Sequence, residues 1–352
     1  MRDKGLDRLR IFAAYLIVLL HLSVNYISKF DLNSVSWWIS DALSAASRIG
    51  VPIFVMITGA FLLDEKKEIT VRIIVKKYIF KAALIFSVTS VFYAAVYYLG
   101  VTGETVPFSK REFLKSIVIG HYHLWYLYMI AGLYLLTPLF RSFVKNAEKG
   151  EVLFFIAVSA TFNFVFVLNR YVFHFIFFHE IGEKMAISTL IGYAGYYVAG
   201  WYLSHIDLKG KIVAGIYTAA VLSYVIAILG TGYISAKQNT LNIVLYTNYS
   251  LTIFCMSTAI FLFFKRSDRI NKSIFKIERL KLYKVMFIVY LIHPFFIERF
   301  RRVYDLNLFL ASIVIFLVST VAAIILKGIA DFIVGLKRKA GEVPAGDRKS
   351  VV

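Results

Sequence analysis

Long apolar stretches separated by short clusters of charge run through the whole chain. Windows suited to crossing a hydrocarbon core fall at 7–28, 48–63, 72–99, 123–140, 151–169, 186–204, 211–234, 246–264, 283–297 and 307–336. With no water available to backbone groups inside a bilayer, such windows must be helical. The pattern therefore predicts an all-α polytopic membrane protein with about ten transmembrane helices in one bundle. Connections are short, and none holds the apolar residues for a core of its own. One membrane domain, 1–336, is expected, followed by a polar tail, 337–352, with the composition of a disordered segment and a basic membrane-proximal start. The first window exceeds a signal-peptide core, contains Arg10 and precedes no small-x-small cleavage site, so it is expected to stay as an anchor. Segments 29–47 and 100–122 are amphipathic and aromatic, and Trp37, Trp38, Phe108, Tyr122 and Trp125 are expected at the membrane interface.

Composition reinforces this reading: 59% of residues are hydrophobic, mean hydropathy is +0.72, and 17% are charged. The net charge of +19 raises the question of nucleic acid, but the positions of the charges decide otherwise. With the N-terminus in the cytoplasm, most of the 40 lysines and arginines fall in the first turns and in alternate connections 64–81, 141–150, 205–211, 265–284 and 337–352. The positive-inside rule then places both termini in the cytoplasm of a multi-pass protein, its basic clusters contacting lipid headgroups. No nucleic-acid partner is expected. The single cysteine, Cys255, lies in an apolar window and reads as a buried thiol.

Two ionisable residues share the first window, where each is costly in lipid. Arg10 and His21 have ten residues between them, so on a helix they occupy one stripe about 16 Å apart along the axis. His21 has the chemistry of a general base near neutral pH, and Asn25 lies one turn on. Arg10 either binds a phosphate-bearing ligand or reaches lipid phosphate. In RIGVPIFVMITGAFLL, Gly50 and Pro52 suit a helix start, Gly59 allows close helix packing, and Arg48 at the mouth faces an anionic substrate or another helix's carboxylate. His123, Trp125 and Tyr126 combine imidazole and aromatic rings, a mixture suited to a sugar and equally to interfacial anchoring. Tyr290 and His293 lie one turn apart in YLIHPFF, where Pro294 frees a backbone carbonyl. His174, His179, Glu180 and Glu183 lack tight ligand spacing, so no metal site is expected. Arg72, Lys76, Lys77 and Lys81 form a basic entry to the third window, suited to a nucleotide diphosphate or to lipid.

The ordered segments DRLRIFAAYLIVLLH, RIGVPIFVMITGAFLL, HLWYLYMIAGLYLLTPLFR, GYAGYYVAGWYL and YLIHP resemble the acyltransferase 3 family of integral membrane acyltransferases, which includes stand-alone bacterial O-acetyltransferases. The resemblance implies a ten-helix domain that takes an acyl group, usually acetyl from cytoplasmic acetyl-CoA, to a carbohydrate hydroxyl, with no bound cofactor. The family's Arg-x10-His motif maps onto Arg10 and His21. Its Arg-x-x-Arg at the start of the third helix is not reproduced; Arg72, Lys76, Lys77 and Lys81 supply charge at other spacings. The expected function is O-acylation, with His21 as base, Arg10 and this basic cluster at the donor, and Asn25, Arg48, His123, Trp125, Tyr126, Tyr290 and His293 at a glycan or lipid-linked sugar. The resemblance also implies a bacterial cytoplasmic membrane and a separate extracytoplasmic transferase as partner, since many relatives append an esterase-like domain. An exporter or flippase of a polar substrate is the alternative use of the same intramembrane charges.

Overall fold

The computed structural model describes residues 3–29, 31–101, 107–173, 192–270, 281–300 and 306–339. The helices are α1 (Lys4–Ile27), α2 (Val35–Ser47), α3 (Gly50–Leu62), α4 (Val71–Tyr98), α5 (Lys110–Ile119), α6 (Trp125–Asn146), α7 (Lys149–Leu168), α8 (Ala194–His205), α9 (Lys211–Gln238), α10 (Leu251–Ile270), α11 (Met286–Arg299) and α12 (Leu308–Lys339). Among the described residues there is no strand. Among the described residues, eight helical stretches are long and apolar enough to cross a membrane, two of them formed by α2 with α3 and by α5 with α6. The shorter α8 and α11 lie inside the bundle, so the protein is an all-α polytopic membrane protein. His174, His179, Glu180, Glu183, the start of the 186–204 window and residues 340–352 lie outside the described residues.

Helix α1 is the axis of the fold. Asp3 caps it by accepting from the Leu6 N–H at 3.0 Å. Leu9, Ala13, Ala14, Val18 and Leu22 are all buried, as a helix apolar on most sides must be when others surround it. It packs against α2, α3, α10, α11 and α12. Arg10 and His21 therefore sit on a helix with little lipid contact, where a polar side chain meets protein groups.

Helix α2 corrects the interfacial expectation for segment 29–47. Trp37 is buried, with its indole N–H donating to the Ile27 carbonyl at 3.1 Å, and Ser40, Asp41, Ser44 and Ser47 face inward. The polar face of this amphipathic helix is its inner face, so it contributes groups to the interior.

The tightest crossing is that of α3 on α8. A Cβ on Gly59 would overlap the Tyr197 carbonyl, and one on Gly200 would overlap the Met56 carbonyl. Reciprocal glycines let the two backbones touch, which is how helices gain dispersion energy where lipid removes the hydrophobic drive. Two helices depart from regular geometry. In α4 the ladder loosens into a π segment at Ile74–Ile79, and Pro294 inside α11 leaves the Tyr290 carbonyl without its helical donor.

Candidate active site

Four imidazoles gather where the second half of α1 meets the start of α6 and the end of α11. The His21 ring centroid lies 5.0 Å from that of His293 and 5.2 Å from that of Tyr122. His293 and His123 are 5.9 Å apart, and both are buried. Tyr290 packs its ring on Tyr126 at 5.5 Å and donates its hydroxyl to the His123 carbonyl. Tyr93 stacks flat on His121 at 4.2 Å; its hydroxyl donates to the Leu291 carbonyl at 2.9 Å and accepts from the Phe295 N–H at 3.2 Å. The proline turn of α11 is thus tied by one tyrosine to α4.

Hydrogen-bond partners fix the protons of this cluster. His293 Nδ1 lies 2.8 Å from the Tyr290 carbonyl and 3.2 Å from that of Val289, so Nδ1 carries the hydrogen. Its Nε2 is buried with no hydrogen-bond partner among the described residues. The remaining contacts run in a chain: His123 Nε2 to the Leu291 carbonyl at 3.2 Å, His123 Nδ1 to His121 Nδ1 at 2.9 Å, and His121 Nε2 to Glu298 Oε1 at 3.1 Å. Three contacts need three hydrogens, and two neutral imidazoles supply two. A cavity of about 200 Å³, lined by Tyr93, Tyr97, Ser116, His121, Tyr122 and Glu298, opens beside this chain.

On the opposite flank, Asp41, Ser44 and Arg48 succeed one another at three- and four-residue steps, one stripe of α2 and its cap. The Tyr246 hydroxyl donates to Asp41 Oδ1 at 2.9 Å, and the Arg48 guanidinium lies 5.5 Å from the Tyr246 ring centroid. Asp41 Oδ2, Ser44 Oγ and Arg48 Nε are buried without hydrogen-bond partners among the described residues. Trp125 is 39% exposed and packs on Tyr193, and Asn25 is exposed one turn beyond His21. His21, His123, Tyr126, Tyr290 and His293 are thus brought together, Arg48 flanks them, and Trp125 and Asn25 lie at the rim.

Arg10 stands at the other end of the stripe. It approaches Asp7 at 3.5 Å, at the same end as the turn that follows α3. Arg141 holds that turn by donating to the carbonyls of Leu62, Asp64 and Lys67 at 2.6, 3.0 and 2.7 Å. The Lys67 ammonium lies over the Phe61 ring, 3.2 Å from its centroid, and donates to the Phe61 carbonyl. Burial pushes the Lys67 ammonium down to about 8, with Arg10 and Arg141 adding repulsion and Asp64 opposing. Arg72, Lys76 and Lys81 are exposed, and Lys77 lies over the Tyr78 ring at 5.8 Å. Sequence reasoning does not single out Lys67, Arg141, Asp41, Tyr246 or Tyr93 for these places; it marks His121 on one face with Trp125 and Tyr128, and Glu298 just beyond YLIHPFF, without pairing the two. Their residue types are visible in the chain, but their partners stand dozens to hundreds of positions away.

Among the described residues no group of three or more His, Cys, Asp or Glu side chains is arranged to hold a metal. Comparison with known proteins yields a match to an acyltransferase domain family over residues 3–328. An amino-acid racemase of Enterococcus faecalis is 31% identical over 148 residues, which are 40% of this chain and 20% of that protein. The chain thus aligns with one fifth of the length of that curated relative. No solved structure matches.

Proposed function

The chain belongs to the acyltransferase family that it matches from residue 3 to residue 328, and from that premise we propose that it moves an acyl group, acetyl in the first instance, from cytoplasmic acyl-CoA to a hydroxyl of a glycan or lipid-linked sugar. One observation carries the reading: a cationic group and an imidazole cluster occupy opposite ends of one central helix, about 16 Å apart. Acyl-CoA has matching ends, a polyphosphate and a thioester joined by a long flexible arm.

Arg10, Lys67 and Arg141 form the anchor for the donor's phosphates, in place of a role carried by the exposed lysines of α4 alone. The thioester reaches His21, which accepts the proton of the attacking hydroxyl; such assistance is typically worth about 10² to 10⁴ in rate. Tyr126, Tyr290 and His123 wall the acceptor's side, and Arg48, Asp41 and Asn25 offer it polar contacts. A separate extracytoplasmic transferase enters only if the acyl group is handed on.

The test is release of CoA from acetyl-CoA by purified protein, dependent on added envelope glycan. His21→Ala should abolish release while leaving the fold intact; near-normal turnover by that variant removes the base assignment. Arg10→Ala should raise KM for acetyl-CoA roughly 10- to 100-fold, the loss of one charge-assisted contact. Movement of a polar substrate with no CoA release would favour an exporter instead.

A further inference from the structure

We propose that His293 is the second half of a two-imidazole base, its Nε2 receiving the proton that the acceptor hydroxyl gives up. The inference rests on the acyl-transfer reading and deepens it. Its starting point is the proline at position 294. Because Pro294 has no N–H, the Tyr290 carbonyl is free to accept from His293 Nδ1–H, and that bond sets the ring's tautomer and angle. The opposite nitrogen, Nε2, is left with a bare lone pair, fully buried and without a partner among the described residues. A buried acceptor atom that makes no hydrogen bond is costly unless its use repays it.

Geometry says what that use is. Among the described residues no hydrogen bond fixes the tautomer of His21; its ring contacts are with Tyr122 and His293. The ring centroids are 5.0 Å apart, a separation at which two imidazoles can share a nitrogen-to-nitrogen hydrogen bond when the two nitrogens lie on the line between the rings. His21 then has an N–H directed at His293 and a lone pair directed at the acceptor. This is the arrangement in which one group orients and relieves the base that meets the substrate. His293 takes the orienting place without a formal charge.

The balance is closed. The acceptor oxygen attacks the thioester carbonyl carbon, forming a C–O bond as the C–S bond breaks. The hydroxyl proton passes to His21 while the N–H on its other nitrogen passes to His293 Nε2. Both transfers reverse as the CoA thiolate takes up the proton to leave as the thiol. The His293 ring packs against His21 from α1, His123 from the approach to α6 and Tyr290 from its own helix. In the His121–His123–Glu298 chain the ring nitrogens of both imidazoles are already engaged in three contacts.

Two measurements on the full-length protein in nanodiscs test this. Nitrogen-15 NMR of labelled histidines, assigned by single substitutions, should show His293 as the Nδ1–H tautomer with a bare Nε2; an Nε2–H tautomer overturns the proposal. Transfer of labelled acetyl-CoA into an envelope glycan extract supplies the second readout. His293→Gln should lower kcat about 10²-fold or more with KM for acetyl-CoA and the thermal transition kept. His21→Ala with His293→Gln should be little worse than His21→Ala alone, because the two act as one unit. If the wild type transfers while His293→Gln retains its full kcat, the role of His293 falls and the acyl-transfer reading stands. A wild type that transfers nothing overturns both.

Discussion

Among single residues, Lys67 gives the sharpest pH signature. An ammonium pushed down to about 8 by burial is charged below that pH and neutral above it, whereas an ordinary lysine keeps its charge to about 10. If Lys67 meets the donor's phosphates, KM for acetyl-CoA should rise as pH climbs from 7 to 9, with kcat at saturating donor moving less. Lys67→Arg, whose guanidinium stays protonated throughout, should flatten that rise. A KM unchanged across the window would place Lys67 in the turn's structure and not at the donor. A third of the Lys67 side chain is exposed, so solvent screens part of this interaction. Sequence alone makes Arg10 and His21 legible because ionisable residues in an apolar window stand out. Lys67 is not legible: within DEKKEIT it reads as one more solvated charge until Arg141, 74 residues away, pins the turn against the bundle.

At the level of helices, the apolar windows carry most of the fold: eight of the ten coincide with helical stretches long enough to cross lipid, and the other two with the shorter α8 and α11. They fail at α2, where Trp37, Ser40, Asp41 and Ser44 give the amphipathic pattern of a surface helix. In a membrane bundle that pattern inverts, and polar groups turn inward toward Tyr246. Gly59 is legible as a packing glycine, but its partner Gly200 is not, because a glycine in GYAGYYVAGWYL carries no mark of which helix it meets. Their contact supports its own prediction. Gly59→Ala or Gly200→Ala pushes a methyl into a backbone carbonyl on the facing helix, where nothing flexible can give way. Each should cost about 1 to 3 kcal/mol, read as a lower unfolding midpoint in detergent. Gly132→Ala, where a Cβ meets nothing, should leave the midpoint unchanged.

Across the whole molecule, five helix ends come together on the Arg10 side. Arg141 at the end of α6 binds the turn after α3, and His205 at the end of α8 lies 3.6 Å from Asp64 of that turn. At the end of α10, Lys265 donates to the Leu203 carbonyl and Arg266 to that of Leu208 at 2.8 Å. The start of α1 joins them through Arg10, which acts on Lys67. These connections are among those in which the lysines and arginines concentrate, and in the proposed function this face is the cytoplasmic one and the imidazole cluster lies in the outer half. If the donor's phosphates meet this face, as proposed, the donor enters from one side only. Acetyl-CoA, too heavily charged to cross lipid, should support transfer when added to sealed inverted vesicles and fail with right-side-out vesicles until they are permeabilised. Transfer in intact right-side-out vesicles would separate the basic face from the donor and return the phosphate contacts to lipid. Failure in both orientations with purified activity intact would instead place the acceptor out of reach, since on the proposed reading acceptor hydroxyls meet His21 from the face opposite the one the donor uses.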